Sequence, residues 1–271
     1  MLKNLIQISI VLIASVFLLS CNKSTNSTLL IELDQRQEKL NQWTKNNNVM
    51  FMDVDIMFPD AKMRKFAVAA GNGDIKTLQE MLDAGYDIHS TGKNDATPLI
   101  WAVRTRNING FAFLLEAGAN PNFIGKSYVN VLHASVYYDE IEFVKTALKY
   151  GADPNIKDIN GEPVSKIALG RNLKILKMLL EAGADVNAVM GVFEISLLAN
   201  SFYAKDFDAA LWLINQGADY KHKNTKGKTV IDTINRWFEI GRFKSKADIP
   251  KDLMAVIQFF ESKGYKVDVQ F

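Results

Sequence analysis

The sequence predicts an all-α solenoid of about six helix-turn-helix repeats joined by short hairpin loops, and three observations lead to this prediction. A glycine-containing mark recurs along the chain, with steps of 33, 33, 32, 34 and 47 residues between successive glycines. Apolar residues at helical spacing precede the marks, and helix-start signals lie upstream of them. The marked glycines are Gly85, Gly118, Gly151, Gly183, Gly217 and Gly264. Such a period is typical of a solenoid in which each repeat packs on its neighbours.

The second repeat shows most clearly how the marks delimit helices. The apolar run Phe111–Ala117 is followed by Gly118, and glycine tolerates the left-handed conformation in which many helices end. Twenty-one residues earlier, Thr97 offers a hydroxyl at a helix start, and Pro98 occupies the first helical position. Two helices are therefore predicted between these signals.

The helix start of this repeat carries a family resemblance. Residues 97–102 read Thr-Pro-Leu-Ile-Trp-Ala, which resembles the Thr-Pro-Leu-His-x-Ala start of the ankyrin repeat. Sister starts diverge from that pattern, as in Asn130–Ser135 and Pro163–Ala168. The resemblance covers residues 60–271, which we expect to form an ankyrin-repeat domain. It implies a concave face, built from inner helices and hairpin tips, that binds a protein partner.

The first 28 residues predict export and a lipid anchor. Residues 1–20 hold one lysine and an apolar run too short for a favourable membrane span, which is typical of a signal peptide. Leu18-Leu19-Ser20-Cys21 resembles a bacterial lipobox, which implies lipidation of Cys21. Residues 21–28 would form the lipidated end and a polar tether. An uncleaved anchor, or a chance cysteine at an ordinary cleavage site, is the alternative.

The same resemblance implies a location. Several acyl chains on one residue give stable anchoring, so we expect a domain held at a membrane surface. The residue after the cysteine is Asn22, where aspartate commonly retains lipoproteins at the inner membrane. The expected place is the bacterial cell envelope, at the periplasmic face of the outer membrane.

The ends of the array are predicted from local patterns. Residues 29–59 are expected to form an N-terminal capping helix, over Leu29–Asn48, and an extended lead-in, with Asp60 as the cap of the first repeat helix. The first repeat should hold helices at Ala61–Ala70 and Ile75–Ala84, with a turn between them. The last repeat should contain a charged insertion and end in a helix; their ranges are Arg236–Pro250 and Asp252–Ser262.

Composition and motifs argue against catalysis and against several ligand classes. The formal net charge is +2, from 32 basic and 30 acidic residues, which disfavours nucleic-acid binding. His89, His133 and His222 lie in different repeats, and none has a second ligand at metal spacing. His133 falls on the histidine position of the resembled family, so we expect it to make a structural hydrogen bond across the hairpin and the other two to be solvated. The prediction is a non-enzyme with no cofactor, metal, nucleic acid or small-molecule substrate.

A partner surface is expected at two apolar hairpin tips and at the ends of the inner helices. The tips are Phe123–Val129 and Val189–Phe193, where polar loops are usual. Tyrosine and arginine, enriched at binding hot spots, align at the helix ends. The candidate partner-binding residues are Arg104, Phe123, Ile124, Tyr128, Tyr137, Tyr138, Met190, Phe193 and Tyr203. The alternative is that the apolar tips fold back onto a shallow core.

Four large aromatic residues are assigned to the core instead. They fall on helix faces where sister repeats carry leucine, and they are Trp101, Phe111, Phe113 and Trp212.

The combination of lipobox, Phe58-Pro59-Asp60 lead-in and divergent repeats resembles lipoproteins that act as immunity proteins against secreted antibacterial effectors. The resemblance implies a lipid-anchored periplasmic module that binds an effector delivered between cells, as in type VI secretion, with lipases as the implied effector class. The alternative function is an envelope scaffold or assembly factor that binds a resident periplasmic protein.

Overall fold

The computed structural model of the protein describes residues 53–126, 130–158, 161–267 and 269. These residues all belong to the unit that extends from Met52 to Phe271. The predicted signal peptide, the lipidation site Cys21, the tether and the capping helix Leu29–Asn48 lie outside the described residues.

Thirteen α-helices and one two-stranded hairpin make up the described part of the chain. The helices are α1 (Val54–Met57), α2 (Ala61–Asn72), α3 (Ile75–Asp83), α4 (Pro98–Arg104), α5 (Ile108–Glu116), α6 (Val131–Tyr137), α7 (Ile141–Lys149), α8 (Val164–Ala168), α9 (Leu173–Glu181), α10 (Leu197–Ala204), α11 (Phe207–Asn215), α12 (Val230–Glu239) and α13 (Lys251–Ser262). Strands β1 (Val189–Met190) and β2 (Ile195–Ser196) pair antiparallel between α9 and α10. Two 3₁₀ turns, Lys93–Asp95 and Lys246–Asp248, complete the elements.

From α2 onward the helices alternate as six inner and outer helices, which matches the predicted number of repeats, and the members of the first five pairs pack on each other. The first, inner helix of each pair packs against the inner helix of the next pair, from α2 through α4, α6, α8 and α10 to α12. Outer helices also pack on one another, α3 on α5, α5 on α7, α7 on α9 and α11 on α13. This neighbour-on-neighbour packing is that of an ankyrin-repeat solenoid, so the predicted fold class is confirmed.

Helix starts follow the predicted capping chemistry. The Asp60 carboxylate accepts a hydrogen bond of 2.8 Å from the Met63 backbone N–H at the start of α2. The Thr97 hydroxyl accepts one of 3.2 Å from the Ile100 N–H, with Pro98 at the first position of α4. Each bond satisfies a backbone donor that the helix itself leaves without a partner.

The predicted turn of the first repeat is shorter than expected. Helix α2 continues through Asn72, so Gly71 is helical, and only Gly73 takes the left-handed conformation, at φ 70°. Gly71 is required by packing, because a Cβ there would lie 2.5 Å from Nε1 of Trp101 on the next inner helix. Close stacking of two inner helices therefore explains a glycine that the sequence pattern assigned to a turn.

The lead-in to the first repeat is helical rather than extended. Residues Val54–Met57 form one helical turn, and Met57 and Phe58 are completely buried. The Phe58 ring meets the Trp101 ring edge-on, with 6.3 Å between centroids. Alternating apolar residues suggested an extended segment, but burying two adjacent side chains against the first two repeats requires a turn. This short element covers part of the exposed first face of the array.

The insertion in the last repeat also begins later than predicted. Thr229 and Asp232 form a capping box that starts α12, in which each side chain accepts from the other residue's backbone N–H. Helix α12 then continues to Glu239 and buries Trp237 and Phe238. Arg236 therefore belongs to an inner helix, and the insertion starts at Ile240 and ends where the closing helix begins.

A ladder of asparagine side chains links successive repeats at the hairpin loops. Asn122 accepts a hydrogen bond of 2.7 Å from the Asp153 N–H and donates one of 2.8 Å to the Gly151 carbonyl. Asn155 repeats both bonds one unit on, with the Asp185 N–H at 2.7 Å and the Gly183 carbonyl at 2.9 Å. Asn187 accepts from the Asp219 N–H at 2.7 Å. We call Asn122, Asn155 and Asn187 the asparagine ladder.

The ladder predicts the effect of replacing its central member. Asn155→Ala removes two hydrogen bonds between repeats and leaves a backbone N–H and a carbonyl to be satisfied by water. We expect the free energy of unfolding to fall by about 1–2 kcal/mol, measured by urea denaturation. The matched control is Asn109→Ala, at an exposed position of α5, for which we expect a change within about 0.5 kcal/mol. Equal effects of both changes would contradict a structural role for the ladder.

His133 makes a structural hydrogen bond with the residue that caps its own helix, whereas the prediction placed the bond across the hairpin. It is buried in α6, and its Nδ1 lies 2.9 Å from Oδ1 of Asn130, the residue that caps this helix. Burial lowers the pKa of His133, because desolvation penalises the imidazolium, and the charge of Asp158 and the backbone of Glu162 oppose this shift only in part. His133 is therefore neutral in the folded protein near pH 7.

A histidine with a lowered folded-state pKa makes stability depend on pH in a defined direction. Below its ordinary pKa of 6.5, the unfolded chain binds a proton that the folded chain resists. The free energy of unfolding should fall on acidification below that value, by up to about 1.4 kcal/mol per pH unit. His133→Gln should reduce this slope, whereas His89→Gln, at an exposed loop position, should leave it unchanged. Urea titrations at about pH 7.5 and about pH 5 test both expectations.

Candidate functional site

Arginine and aromatic side chains form a continuous row at the ends of three inner helices. The Arg104 guanidinium lies 5.2 Å from the Trp101 ring centroid on α4, and the Arg171 guanidinium lies 5.1 Å from the Tyr137 ring. Tyr137 and Tyr138 meet edge-on, with 5.7 Å between ring centroids. We call Trp101, Arg104, Tyr137, Tyr138 and Arg171 the inner-helix strip.

The repeat period places these residues side by side. Arg104 and Tyr137 are the last residues of α4 and α6, and Arg171 follows α8 at the position that corresponds to Tyr138. Because inner helices stack on inner helices, residues one period apart become neighbours on one face. Of these five residues, sequence reasoning missed Arg171 as a site residue, although its spacing of 33 residues from Tyr138 was visible in the sequence. It also assigned Trp101 to the core.

The strip is only partly accessible to water, which affects its ionisation. Four of the five side chains are half-buried, and Arg171 is exposed. Burial lowers the pKa of Arg104 and raises the pKa of Tyr138, while the attraction between them opposes both shifts. Arginine remains charged and tyrosine remains neutral at physiological pH under such shifts. The strip thus presents a fixed positive charge framed by aromatic rings and hydroxyl groups.

Ordered contacts hold the strip in place. Nη1 of Arg171 reaches the Tyr137 carbonyl at 3.4 Å, and Arg106, beside the strip, pairs with Glu140 at 3.0 Å. Tyr203 lies on α10, two repeats after Tyr137 at the corresponding position, and is 54% exposed. Gly170 stands between them in this alignment and offers no side chain, so Tyr203 extends the row without adjoining the strip.

The first predicted tip is exposed, as expected of a contact surface. Phe123 and Ile124 are 37% and 42% exposed, respectively. Gly125 packs closely on Asp95 of the preceding loop, whose carboxylate accepts from the Lys126 N–H at 3.1 Å. Phe123 also lines a cleft of about 260 Å³ together with Ile88, Leu99 and Leu114. Tyr128, predicted to belong to this tip, lies outside the described residues.

The second tip divides its residues between surface and core. Met190 is only 4% exposed, so the interpretation of Met190 as a surface contact is wrong. It sits in β1, where successive side chains point to opposite sides, and Val189 takes the outward side. Val192 and Phe193 in the turn are 84% and 49% exposed, so the alternative that they and Phe123 fold back onto neighbouring helices is wrong for these two residues.

The aromatic residues assigned to the core also divide. Phe111 is completely buried, but Trp101, Phe113 and Trp212 are only half-buried. For Trp101 the reason is its place on the inner-helix strip, where its Nε1 edge packs on Gly71, Phe58 meets it edge-on and Arg104 lies over its ring.

The described residues hold neither a metal centre nor a membrane-spanning helix. They contain no cluster of three or more histidine, cysteine or carboxylate side chains arranged to hold a metal ion. Their helices are too short or too polar to cross a bilayer. His222 differs from its predicted solvated state, because its Nε2 lies 2.7 Å from the Glu194 carbonyl.

Comparison with known proteins identifies the repeats. Residues 66–158 match the family model for ankyrin repeats, in three copies. The ankyrin repeat protein L371 of Acanthamoeba polyphaga mimivirus is 27% identical over 58% of this chain and 23% of its own length. The ankyrin repeat and KH domain-containing protein mask-1 of Caenorhabditis elegans is 24% identical over 80% of this chain and 8% of its own length. The NF-kappa-B p105 subunit of Gallus gallus is 34% identical over 42% of this chain.

A solved structure supports the fold. The ankyrin repeat domain of Bcl-3 superposes with a TM-score of 0.58 at 19% identity, covering 64% of this chain and 80% of that one. The chain spans about a quarter or less of the length of the three sequence relatives. The chain thus carries ankyrin repeats, and from α2 to α13 it is an all-α ankyrin-repeat solenoid.

Proposed function

We propose that this protein binds a protein partner through the inner-helix strip and the Phe123–Ile124 tip, and acts without catalysis. Ankyrin repeats indicate a protein-interaction module, and the strip is the observation that carries the assignment of the surface. Tyrosine, tryptophan and arginine dominate binding hot spots because each combines a large apolar area with polar groups that need a partner. Such residues lie here in the last turn of α4 and at or just after the ends of α6 and α8, which stack on one another.

The strip is suited to binding because it is already ordered. The two guanidinium groups lie 5.2 and 5.1 Å from ring centroids, and the centroids of the two tyrosine rings are 5.7 Å apart. Because these contacts already order the side chains, little of their conformational entropy remains to be lost on association. Half-burial has also removed part of the water around Arg104. A partner that brings a carboxylate or carbonyl to Arg104, and apolar surface to Phe123 and Ile124, would complete the desolvation.

We propose further that the partner is a secreted antibacterial effector and that this protein is its immunity protein. Support comes from the lipobox-like Leu18–Cys21, the Phe58–Asp60 lead-in and the divergent repeats, which together resemble immunity lipoproteins. A lipase presents apolar surface around its active-site mouth, and Phe123 and Ile124 would complement it. An anchored solenoid at the periplasmic face of the outer membrane would meet the effector before the effector reaches phospholipid.

The alternative proposal is a scaffold or assembly factor that docks a resident envelope protein. A scaffold would use the same surface and the same anchor as an immunity protein. The identity of the captured partner therefore distinguishes the two proposals. Proteins retained by the tagged full-length chain, extracted from its own cells in detergent, can be identified by mass spectrometry. A secreted hydrolase at a ratio near one to one favours immunity, and killing of a deletion strain by its siblings would support it independently. A resident envelope protein, together with a deletion strain that survives its siblings, favours the scaffold.

The surface assignment predicts which substitutions weaken capture. Arg104→Ala and Tyr138→Ala should each raise the Kd for the captured partner by at least about 30-fold, because hot-spot truncation costs about 2 kcal/mol or more. Isothermal titration or surface plasmon resonance measures this change. The control is Tyr150→Ala, which removes another half-buried tyrosine, at the end of an outer helix, and should leave the Kd unchanged. An unchanged Kd for both strip variants would refute the assignment.

A further inference from the structure

The second tip and the loop of the following repeat form one connected unit. The Thr225 N–H donates to the Phe193 carbonyl at 3.1 Å, and the His222 ring reaches the Glu194 carbonyl at 2.7 Å. The Lys226 ammonium lies 4.8 Å from the centroid of the Phe193 ring. We call residues 189–196 together with residues 219–229 the lysine knuckle. These contacts fix an apolar turn beside a basic loop.

The apex of the lysine knuckle exposes apolar side chains that the fold leaves uncovered. Val192 is 84% exposed and Phe193 is 49% exposed, although Met190 in the same hairpin is buried. Covering these two side chains would remove apolar area from water and release free energy in proportion to that area. Both stand at the turn of the hairpin between β1 and β2, which places them at its exposed end.

The loop bonded to this apex carries four lysines, of which Lys226 lies over the Phe193 ring. Lys221, Lys223, Lys226 and Lys228 are all exposed and lie within eight residues. The loop that carries them is ordered, since Asn224 accepts from the backbone N–H groups of Lys226 and Lys228 at 2.9 and 3.0 Å. In the part of the chain that the structure describes, none of the four forms an ion pair within 4.0 Å.

Several acidic groups lie in or near the knuckle, and one of them, Glu194, is exposed beside Phe193. Asp232 feels the charges of Lys223 and Lys228 but is tied to Thr229 in the capping box. The Asp219 carboxylate accepts from the Lys221 backbone N–H at 2.8 Å, and Glu162, near Gly191, pairs with Lys166 at 2.9 Å. Residues 189–196 and 219–229 together carry a formal net charge of +2, so the knuckle remains basic.

We propose that the lysine knuckle docks on an anionic phospholipid surface. Val192 and Phe193 would enter the interfacial layer, and the four lysines would contact lipid phosphate groups. An exposed apolar apex beside a lysine-bearing loop complements such a surface, since lysines near an anionic bilayer each contribute about 1 kcal/mol and apolar side chains add their burial. An acidic protein would share the charge complementarity, but the apex at the turn of a hairpin suits insertion into a lipid layer.

This site is separate from the surface proposed for the protein partner. The inner-helix strip lies on repeats two to four, whereas the knuckle is formed by the loops on either side of repeat five. Membrane docking here would orient the solenoid relative to the bilayer, whatever holds its N-terminal end. The two proposals can fail independently, because no residue of the strip belongs to the knuckle.

The test places a fluorophore at the apex of the full-length chain. The variant Cys21→Ser/Val192→Cys leaves one thiol, which is labelled with an environment-sensitive dye and mixed with vesicles of phosphatidylcholine containing roughly 30% phosphatidylglycerol. We expect a blue shift and an intensity rise that are absent with pure phosphatidylcholine and that weaken as salt is added. The positional control is Cys21→Ser/Ile240→Cys, labelled at another exposed apolar residue, which should show no shift.

The lysines are tested in the same labelled chain. Lys226→Gln/Lys228→Gln should raise the lipid concentration at half-maximal response by roughly 30-fold, as expected for two lysines at about 1 kcal/mol each. Lys145→Gln/Lys149→Gln, at exposed positions of α7, should leave it unchanged. Equal responses to neutral and anionic vesicles, no response at Val192, or indifference to the knuckle lysines would overturn the proposal. So would a response to the captured protein partner and not to vesicles.

Discussion

Hydrogen bonds between neighbouring repeats are the constraint on which the rest of this structure depends. A single helix pair has one apolar face that it cannot bury alone, so each pair is stable only against the next. Asparagine side chains span this junction at the loops, and inner-helix packing, as between Gly71 and Trp101, spans it at the helices. Both act across a repeat boundary, so together they fix the rotation of each repeat on the one before it.

That rotation determines the candidate binding surface. Arg104, Tyr137 and Arg171 are distant in sequence and become neighbours because inner helices stack in register. The outer helices pack on their own inner partners and on neighbouring repeats, as α5 does on α2, but their ends lie away from the strip. Variation on the inner-helix ends therefore changes recognition while the buried residues of each repeat maintain the fold.

Much of the fold could be predicted from the sequence because the repeat signals are local. A threonine before a proline starts α4 and a glycine ends α5, and neither signal needs distant contacts. The Asp60 cap, the six repeats and the closing helix follow from such signals. The helical turn at Val54–Met57 could not be predicted, because the burial of Met57 and Phe58 is decided by repeats one and two.

The candidate site was harder to predict for the same reason, since its geometry depends on contacts between repeats. Met190 was misassigned because the two-residue strand that turns its side chain inward depends on pairing with Ile195. Arg171 was missed, and Trp101 was placed in the core, because a ring that packs on one face and carries a guanidinium on the other has no distinct sequence signature.

The asparagine ladder has a mechanical consequence for the array as a whole. Its three members are Asn122, Asn155 and Asn187, whereas His89 and Lys221 occupy the corresponding positions in the outer repeats. Among the described residues, loops of the central repeats are thus joined by side-chain bonds that the loop after repeat two does not receive from His89. The loop side of the solenoid should therefore be stiffest in its middle, whereas the first junction relies on helix packing such as that of Trp101 on Gly71.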